Sequence, residues 1–342
     1  MQSISISEAH EYAAKLKKEV AQSIFGQDRL VTETLCCFLA GGHILMTGAP
    51  GLAKTTLVRV FASHLGLSFG RIQYTPDLLP SDIIGSELLH VDQASGKRYF
   101  EFSKGPIFVN LLLADEINRA TPRTQSAMLE AMQERRITVG HQNHVLPDPF
   151  MVFATQNPFE SEGTFPLPEA QLDRFLIHTL VEYPDSESEL KILKSHAGNS
   201  LAGEAGIENK SFTLGVDLTQ KIMAAVKSIK VEDHLIDGVN HLVRATRPDS
   251  SSSLEHLRSK VWYGAGPRGG IALISTARAL ALMEGEDTVR WSHVKRLAKP
   301  VLRHRIRLAS QVLNENQQID ALIDEVVEYV EKVKSKASRG LE

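Results

Sequence analysis

The chain has 342 residues, of which 42% are hydrophobic and 23% charged, and its formal net charge is −3. This composition is typical of a soluble globular protein that is large enough for two or three domains and needs no disulfide to fold. The small net charge, with both signs interspersed, disfavours a protein whose whole surface binds nucleic acid or an anionic membrane.

The amino terminus and the cysteines bear on where the protein works. Residues 1–8 carry neither the basic segment nor the apolar core of a signal peptide, so we expect no export by that route. The longest apolar run, 107–114, is too short to cross a membrane. Cys36 and Cys37 are adjacent in a helical pattern and are expected to be buried free thiols, which suits a reducing compartment. We therefore expect a cytoplasmic protein without a membrane span.

The predicted elements alternate between helix and strand through the first half of the chain. Residues 8–40 show a helical pattern with a break at 25–27. Strand-like apolar runs follow at 43–47, 69–74, 107–114, 150–156 and 175–181. Strands that alternate with helices predict a parallel sheet covered on both faces. Helical patterns dominate later, so we expect an α/β domain at 1–190 and a helical domain at 191–342.

A glycine-containing segment follows the first predicted strand and opens a helix-like segment. Such a loop presents backbone N–H groups and the positive end of a helix to phosphate. Lys54 would contact the β- and γ-phosphates, and the hydroxyl of Thr55 would bind Mg²⁺. The general pattern has glycine at the position of Ala53, which alanine tolerates if φ is negative. The predicted nucleotide-binding residues are Gly48, Ala49, Pro50, Gly51, Leu52, Ala53, Lys54, Thr55 and Thr56.

Two further apolar strands end in polar side chains. Asp115 and Glu116 end the strand after Lys54; we expect Asp115 to hold Mg²⁺ through water and Glu116 to orient or deprotonate the attacking water. Alone, such an acidic pair is more often a turn or a helix cap, but the phosphate loop favours the catalytic interpretation. Asn157 ends the next strand, where it could hold the attacking water, contact the γ-phosphate or begin a turn with Pro158.

Taken together, these segments resemble the MoxR family of AAA+ ATPases. The resemblance rests on residues 48–55, 74–85, 114–125, 154–158, 167–175 and 264–269, and it spans about residues 20–285. It implies an α/β AAA+ core with a five-stranded parallel sheet, inserted β-hairpins and an all-α lid. It also implies a homo-oligomer, usually a hexameric ring with ATP between subunits, and makes Ala53 this family's version of the loop.

The resemblance also implies roles for arginines. Arg174 matches the arginine finger that reaches into a neighbouring subunit, although a salt bridge with Asp173 or a nearby acid is the alternative. Arg119 and Arg123 compete with Arg174 for that role. Arg268, at the start of a lid helix, matches the sensor 2 arginine, and whether it acts on its own or a neighbouring site stays open.

Phe25, Gly26 and Gln27 match the motif that borders the adenine in related ATPases, although Gly-Gln is also a plain helix break. Two insertions, at 84–108 and 135–141, are predicted β-hairpins, of which the first interrupts a helix. By resemblance such hairpins face the pore or the substrate; the alternative is that they only pack the ring.

The functional prediction is an ATPase that uses ATP and Mg²⁺ to remodel or activate a partner protein. In this family the partner commonly has a von Willebrand A-like domain. One alternative is an ATP-gated scaffold with little turnover, and another is a chelatase-type or nucleic-acid motor subunit. The second hairpin lacks the interleaved aromatic and basic residues of a nucleic-acid groove, which disfavours a motor. The scattered histidines have no metal-ligand spacing, so Mg²⁺ is the only metal implied.

Overall fold

The computed structural model describes residues 4–93, 96–140, 142–159, 163–197, 212–310 and 314–339. Its helices are α1 Ile6–Ser23, α2 Asp28–Leu39, α3 Lys54–Leu65, α4 Pro80–Ile84, α5 Pro122–Glu134, α6 Glu169–Leu172, α7 Ser186–Ala197, α8 Val216–Ser228, α9 Asp233–Ala245, α10 Pro267–Met283, α11 Trp291–Leu302 and α12 Glu315–Arg339. Its strands are β1 Ile44–Gly48, β2 Phe69–Gln73, β3 Gly85–Val91, β4 Arg98–Lys104, β5 Leu111–Asp115, β6 Arg136–Val139, β7 Gln142–Val145, β8 Met151–Gln156, β9 Ile177–Val181, β10 Val261–Tyr263 and β11 Arg307–Leu308. Short 3₁₀ helices lie at Ile117–Arg119, Glu255–Leu257 and Arg303–Arg305.

The central sheet has five parallel strands in the order β2-β5-β8-β1-β9. This confirms the predicted five-stranded parallel sheet. Because parallel strands share one direction, the segments that follow all five strands emerge at the same edge of the sheet. The loops after β1 and β5 therefore lie on either side of β8, whose carboxyl end falls between them.

Both faces of the sheet are covered, as the sequence predicts. Alternate residues of each inner strand enter different hydrophobic clusters. In β1, Ile44 and Met46 pack on the side of α1, α2 and α3, whereas Leu45 packs on the side of α5. This alternation follows from the period of two along a strand, and it fixes the register of the sheet against its helices.

The strand expected over 107–114 begins only at Leu111. The side chain of Asn110 caps the strand instead: its Oδ1 accepts from the Ser68 hydroxyl at 2.8 Å, and its Nδ2 donates to the Pro149 carbonyl at 2.8 Å. These bonds satisfy polar groups at the amino edge of the sheet. If β5 continued beyond this edge, it would lack a neighbouring strand on each side.

The first insertion forms the hairpin β3–β4, but it does not interrupt a helix as expected. It follows the short helix α4, and residues 105–110 form turns that lead into β5. Gly85 and Gly105 pack backbone to backbone at the base, where a Cβ on Gly105 would lie 2.3 Å from the Ile83 carbonyl oxygen. This close approach leaves no room for a second helical segment. The second insertion forms the hairpin β6–β7, and its predicted residue His141 lies outside the described residues.

The helices that follow the sheet pack on α1 and α2, and the first hydrophobic cluster runs through both regions without a break. A buried polar junction reinforces this contact. Arg303 forms two hydrogen bonds of 2.7 Å with Asp320 and donates to the His178 carbonyl of β9 at 2.6 Å. The helical region is therefore tied directly to the edge strand of the sheet. Among the described residues, no helix is both long and apolar enough to cross a bilayer.

Candidate nucleotide site

The loop between β1 and α3 approaches the neighbouring strand β9 very closely. A Cβ on Gly48 would lie 2.6 Å from the carbonyl oxygen of Val181. Gly51 has φ of 81°, a left-handed conformation that favours glycine. These two glycines let the chain leave the sheet and turn into α3, so that the amino end of this helix borders a cavity, and helix amino ends favour phosphate.

The expectation of a negative φ at Ala53 is wrong. Its φ is 55° and its ψ is 16°, which is the left-handed conformation that glycine holds in the general pattern. Ala53 immediately precedes α3, and its carbonyl accepts the N–H of Leu57 at 2.8 Å, the first hydrogen bond of the helix. Holding a non-glycine residue there costs about 1 kcal/mol, so the loop carries local strain.

Lys54 lies across the loop at the first position of α3. Its Nζ donates to the Gly48 carbonyl at 2.7 Å. Burial lowers the pKa of the Lys54 ammonium, and the nearby carboxylates of Asp115 and Glu116 act against that shift. The ammonium is thus positioned between the loop and the two acids. Thr55 follows it in the first turn of α3, where its hydroxyl is available as a metal ligand.

A cavity of about 480 Å³ opens beside this loop. Its walls are formed by Gly51 to Ala53 and Thr56 of the loop, by the segment after α1, and by the segment from Tyr183 to Leu193. Phe25 and Gln27 belong to these walls, and Gly26, with φ of 70°, packs against Ser188 of α7. Its size and mixed polar and apolar lining suit a nucleoside.

Asp115 and Glu116 sit at the end of β5, on the loop's side of the sheet. Thr155 of β8 links them: its hydroxyl donates to Oδ1 of Asp115 at 2.6 Å and accepts the Glu116 N–H at 2.8 Å. Glu116 has φ of 58°, so the chain turns sharply there and begins the short 3₁₀ helix. The chain direction thus changes between the two consecutive acids.

Neighbouring polar side chains hold both carboxylates. Nη2 of Arg71 lies 2.7 Å from Oδ2 of Asp115. Nε2 of Gln73 donates to Oε2 of Glu116 at 2.9 Å, and Nε of Arg119 lies 3.1 Å from the same oxygen. Arg119, a candidate for contact with a neighbouring subunit, thus pairs with an acid of its own chain.

Asn157 follows β8, between the two loops, and its side chain is buried. Its Oδ1 accepts the backbone N–H of Phe159 at 3.1 Å, the bond that an Asn-Pro turn makes. This bond bears out the turn interpretation, and the role of Asn157 as a sensor stays a prediction.

Arg174 and Arg268 lie at the opposite edge of the sheet from the loop. Arg174 precedes β9, and its Nη1 donates to the Leu129 carbonyl at 2.7 Å. Arg268 lies 3.4 Å from Oδ2 of Asp173, whose other oxygen accepts from Arg305 at 2.8 Å. Because β9 alone spans about 13 Å along its five residues, neither arginine is near the loop of its own chain. Arg123 is exposed on α5.

The sequence did not predict the side chains that hold the two acids, namely Arg71, Gln73 and Thr155. Arg71 and Gln73 are two apart in a predicted strand, so the pattern could have placed them on one face. Their partners depend on which strand lies next to β2, and nothing in the local sequence indicates that. Thr155 reads as an ordinary strand residue, and only the register with β5 reveals its contact.

The chain has a parallel sheet with a phosphate loop after β1, two acids at the end of β5 and a helical region that follows the sheet. These features define a P-loop ATPase of the AAA class. Residues 43–177 match the model of the ATPase family associated with various cellular activities (AAA), and residues 256–326 match the AAA lid domain.

The chain belongs to the MoxR family of AAA+ ATPases. It is 41% identical over 312 residues to Chaperone MoxR1 of Mycobacterium tuberculosis (strain ATCC 25618 / H37Rv). This alignment covers 91% of this chain and 80% of the relative. It is 28% identical to Protein MoxR of Methylorubrum extorquens, over 89% of this chain and 90% of the relative. A crystal structure from Cytophaga hutchinsonii ATCC 33406 superposes with a TM-score of 0.81 at 36% identity, covering 94% of this chain and 96% of the other.

Proposed function

We propose that the protein hydrolyses ATP between the subunits of an oligomeric ring and uses the energy to remodel or activate a partner protein. The observation that carries the proposal is the arrangement of the loop at 48–55, the cavity beside it and the two acids after β5 at one edge of the sheet. Lys54 binds the β- and γ-phosphates from the loop, and the cavity bordered by Phe25 and Gln27 holds the nucleoside.

The acids divide the chemistry between them. Thr55 and Asp115 are the side chains that would hold Mg²⁺, which, when bound, would neutralise charge on the phosphate oxygens. Glu116 accepts the proton of the attacking water as that water approaches the γ-phosphate. Asn157, between the two loops, orients the same water through its amide nitrogen. Hydroxyl and carboxylate oxygens are the donors that a hard cation of this kind prefers.

The position of the arginines supports assembly into a ring. Arg174 and Arg268 are both at the edge of the sheet that faces away from the loop, so each is available to a neighbouring copy rather than to its own site. An arginine supplied by a neighbour stabilises the charge on the transferring phosphoryl group. Hydrolysis then requires assembly, and we favour a hexamer. Residues 1–190 would act as the ATPase core and 191–342 as its lid.

The two hairpins are the proposed partner-binding surface. They expose an unusual number of large apolar side chains for a globular surface, namely Leu88, Leu89, Val91, Tyr99, Phe100 and Val145. Such patches mark protein interaction sites. We propose a protein partner with a von Willebrand A-like domain, following the resemblance to the family. The free, buried thiols of Cys36 and Cys37 suit the cytoplasm.

The experiment that tests the function is the variant Glu116→Gln, compared with Glu11→Gln on the exposed face of α1 as a charge-matched control. Loss of the general base should lower kcat by about 100-fold or more while nucleotide affinity stays within a few-fold of the wild type. Equal hydrolysis by the two variants would show that Glu116 is not the base. If a partner is still fully activated by Glu116→Gln, the protein is an ATP-gated scaffold instead. Pull-down with this variant, which holds the ATP state, would identify the partner.

A further inference from the structure

Arg71, at the centre of the edge strand β2, forms an ion pair with Asp115, the carboxylate that is expected to hold Mg²⁺. Nη2 and Nε of Arg71 lie 2.7 and 3.2 Å from the same oxygen of Asp115, Oδ2. The other oxygen accepts the Thr155 hydroxyl at 2.6 Å. Both oxygens of Asp115 are therefore hydrogen-bonded within the chain.

The two partners of this ion pair differ in their freedom to move. The side chain of Asp115 is 16% exposed and is held by Thr155, whereas that of Arg71 is 48% exposed. Arg71 can leave the pair by rotating into solvent, at the small cost typical of a surface ion pair. Asp115 cannot follow it without losing its bond to β8. If the pair opens, it is the arginine that leaves.

On the basis of the proposed function, we propose that Arg71 is a tethered cation that neutralises Asp115 in the nucleotide-free site and that Mg²⁺ with its nucleotide must displace. A half-buried carboxylate without a counter-charge is unfavourable, which explains why the chain supplies one. The guanidinium and the metal are both cations that would be held at the same carboxylate, and their charges repel each other, so binding of the metal opposes binding of the guanidinium. Because arginine stays charged at all ordinary pH values, this competition cannot be relieved by deprotonation.

The surrounding strand makes Arg71 a regulatory positioning residue rather than a simple support. Nη2 of Arg71 also donates to Oε1 of Gln73 at 2.8 Å, and Gln73 in turn holds Glu116. The next residue, Tyr74, donates its N–H to the Asp115 carbonyl at 2.9 Å, and the chain then runs through α4 into the hairpin β3–β4. One short strand thus contacts the metal-binding acid and the catalytic acid, and it leads directly to the proposed partner surface.

The test is the magnesium dependence of nucleotide binding, with a fluorescent non-hydrolysable ATP analogue as the probe. The full-length protein is titrated with Mg²⁺ at fixed analogue concentration as wild type, Arg71→Ala and Arg71→Lys. Arg59→Ala, an exposed arginine on α3, is the matched control. Removing the competing charge should lower the half-saturating Mg²⁺ concentration by about tenfold in Arg71→Ala. Arg71→Lys keeps the charge but loses the two-nitrogen contact, so its value should lie between wild type and Arg71→Ala. Replacing Arg71 with alanine also removes a positive charge near the anionic analogue. The affinity of each variant for the analogue is therefore also measured in EDTA, where no Mg²⁺ is present, as the reference for this effect.

The outcomes separate this inference from the proposed function. A half-saturating Mg²⁺ concentration that is unchanged or raised in Arg71→Ala overturns the inference, and a lowered melting temperature with that result assigns Arg71 a merely structural role. A tenfold shift in a protein that binds but does not hydrolyse ATP supports the inference and refutes the proposed ATPase. A wild type that binds no analogue at any Mg²⁺ concentration refutes both. Electron paramagnetic resonance of Mn²⁺ bound with the analogue gives a second readout that does not depend on activity.

Discussion

Ala53 shows how a single residue can hold a catalytic loop under strain. The left-handed conformation at φ of 55° is one that glycine adopts freely and alanine does not. The strain is local, because the bond from Leu57 to the Ala53 carbonyl fixes the start of α3 in this position.

Replacing Ala53 with glycine should therefore stabilise the protein. Relief of the left-handed strain, about 1 kcal/mol, is partly offset by the freedom that glycine adds to the unfolded chain, so the free energy of unfolding is expected to rise by about 0.5 kcal/mol, measured by chemical denaturation of the nucleotide-free protein. Ala49→Gly in the same loop is the control. Ala49 has no positive φ and its methyl group is buried, so glycine there adds freedom to the unfolded chain, removes a packed methyl group and should lower stability. Equal effects of the two substitutions would contradict the strain.

His43, the residue before β1, is a buried side chain whose two nitrogens are both used. Its Nδ1 accepts the Val152 N–H at 2.9 Å and its Nε2 donates to the Met132 carbonyl at 3.1 Å. Burial, with a contribution from the positive charge of Arg135, lowers the pKa of His43 to about 4 from 6.5. A proton on Nδ1 would also remove the acceptor for Val152.

This geometry predicts that stability falls as the pH is lowered. Between pH 6.5 and about 4 the unfolded chain binds the proton and the folded chain does not, so acid favours unfolding over that range. The contribution of His43 should be a loss of about 2 kcal/mol between pH 7.5 and pH 5. It is measured by urea denaturation of the wild type and of His43→Gln, which lacks the titrating group. The same pH dependence in both proteins would rule out this role.

At the scale of elements, the two hairpins form one composite surface. The rings of Phe102 in β4 and His144 in β7 stack with centroids 4.0 Å apart and planes at 26°. Gly140, in the turn of the second hairpin, lies against the carboxylate of Glu87 in the first. The proposed partner surface is thus built from two insertions that are separated in the chain by residues 105–135 and that contact each other.

A double-mutant cycle tests this contact. Phe102→Ala and His144→Ala should each lower stability, and their interaction energy should be about 0.5–1.5 kcal/mol because stacked aromatic pairs contribute that much beyond area burial. The control cycle pairs Phe102→Ala with His234→Ala on α9, for which the effects should add. Additive effects in both cycles would mean that the hairpins are energetically independent.

The sequence predicted the elements better than the contacts between them. The inner strands β1, β5 and β8 could be located because each is a run of mostly apolar residues buried on both faces. The base of the first hairpin could not, because the absence of a second helix depends on Gly85 meeting Gly105 across an insertion. The ion pair of Arg71 with Asp115 and the contact of Arg268 with Asp173 depend on strand order and on docking of the helical region. These are long-range properties that no local pattern encodes.

At the scale of the whole molecule, one chain carries the phosphate loop at one edge of the sheet and Arg174 at the other. This placement predicts complementation between inactive variants. Lys54→Ala lacks the loop's lysine and Arg174→Ala lacks the proposed arginine finger, so each should be inactive alone. In an equal mixture, about a quarter of subunit boundaries should join an intact loop to an intact arginine, because a ring contact is head-to-tail.

ATPase activity of the mixture should therefore recover to about a quarter of the wild-type value after subunit exchange. The control is a mixture of Lys54→Ala with Glu116→Gln, whose defects lie in the same half of the site and cannot complement. Absence of recovery in the first mixture, with subunit exchange shown independently, would place Arg174 outside the neighbouring site.

The close approach of Gly48 to β9 has a mechanical consequence. Val181 lies so near the loop that no side chain fits between them, and the other end of the same strand is fastened by Arg303 and Arg305 to the helical region. A strand that is held at both ends passes a displacement of one end on to the other. A displacement at the amino end of β9 is therefore expected to reach the phosphate loop, which would couple the two edges of the sheet.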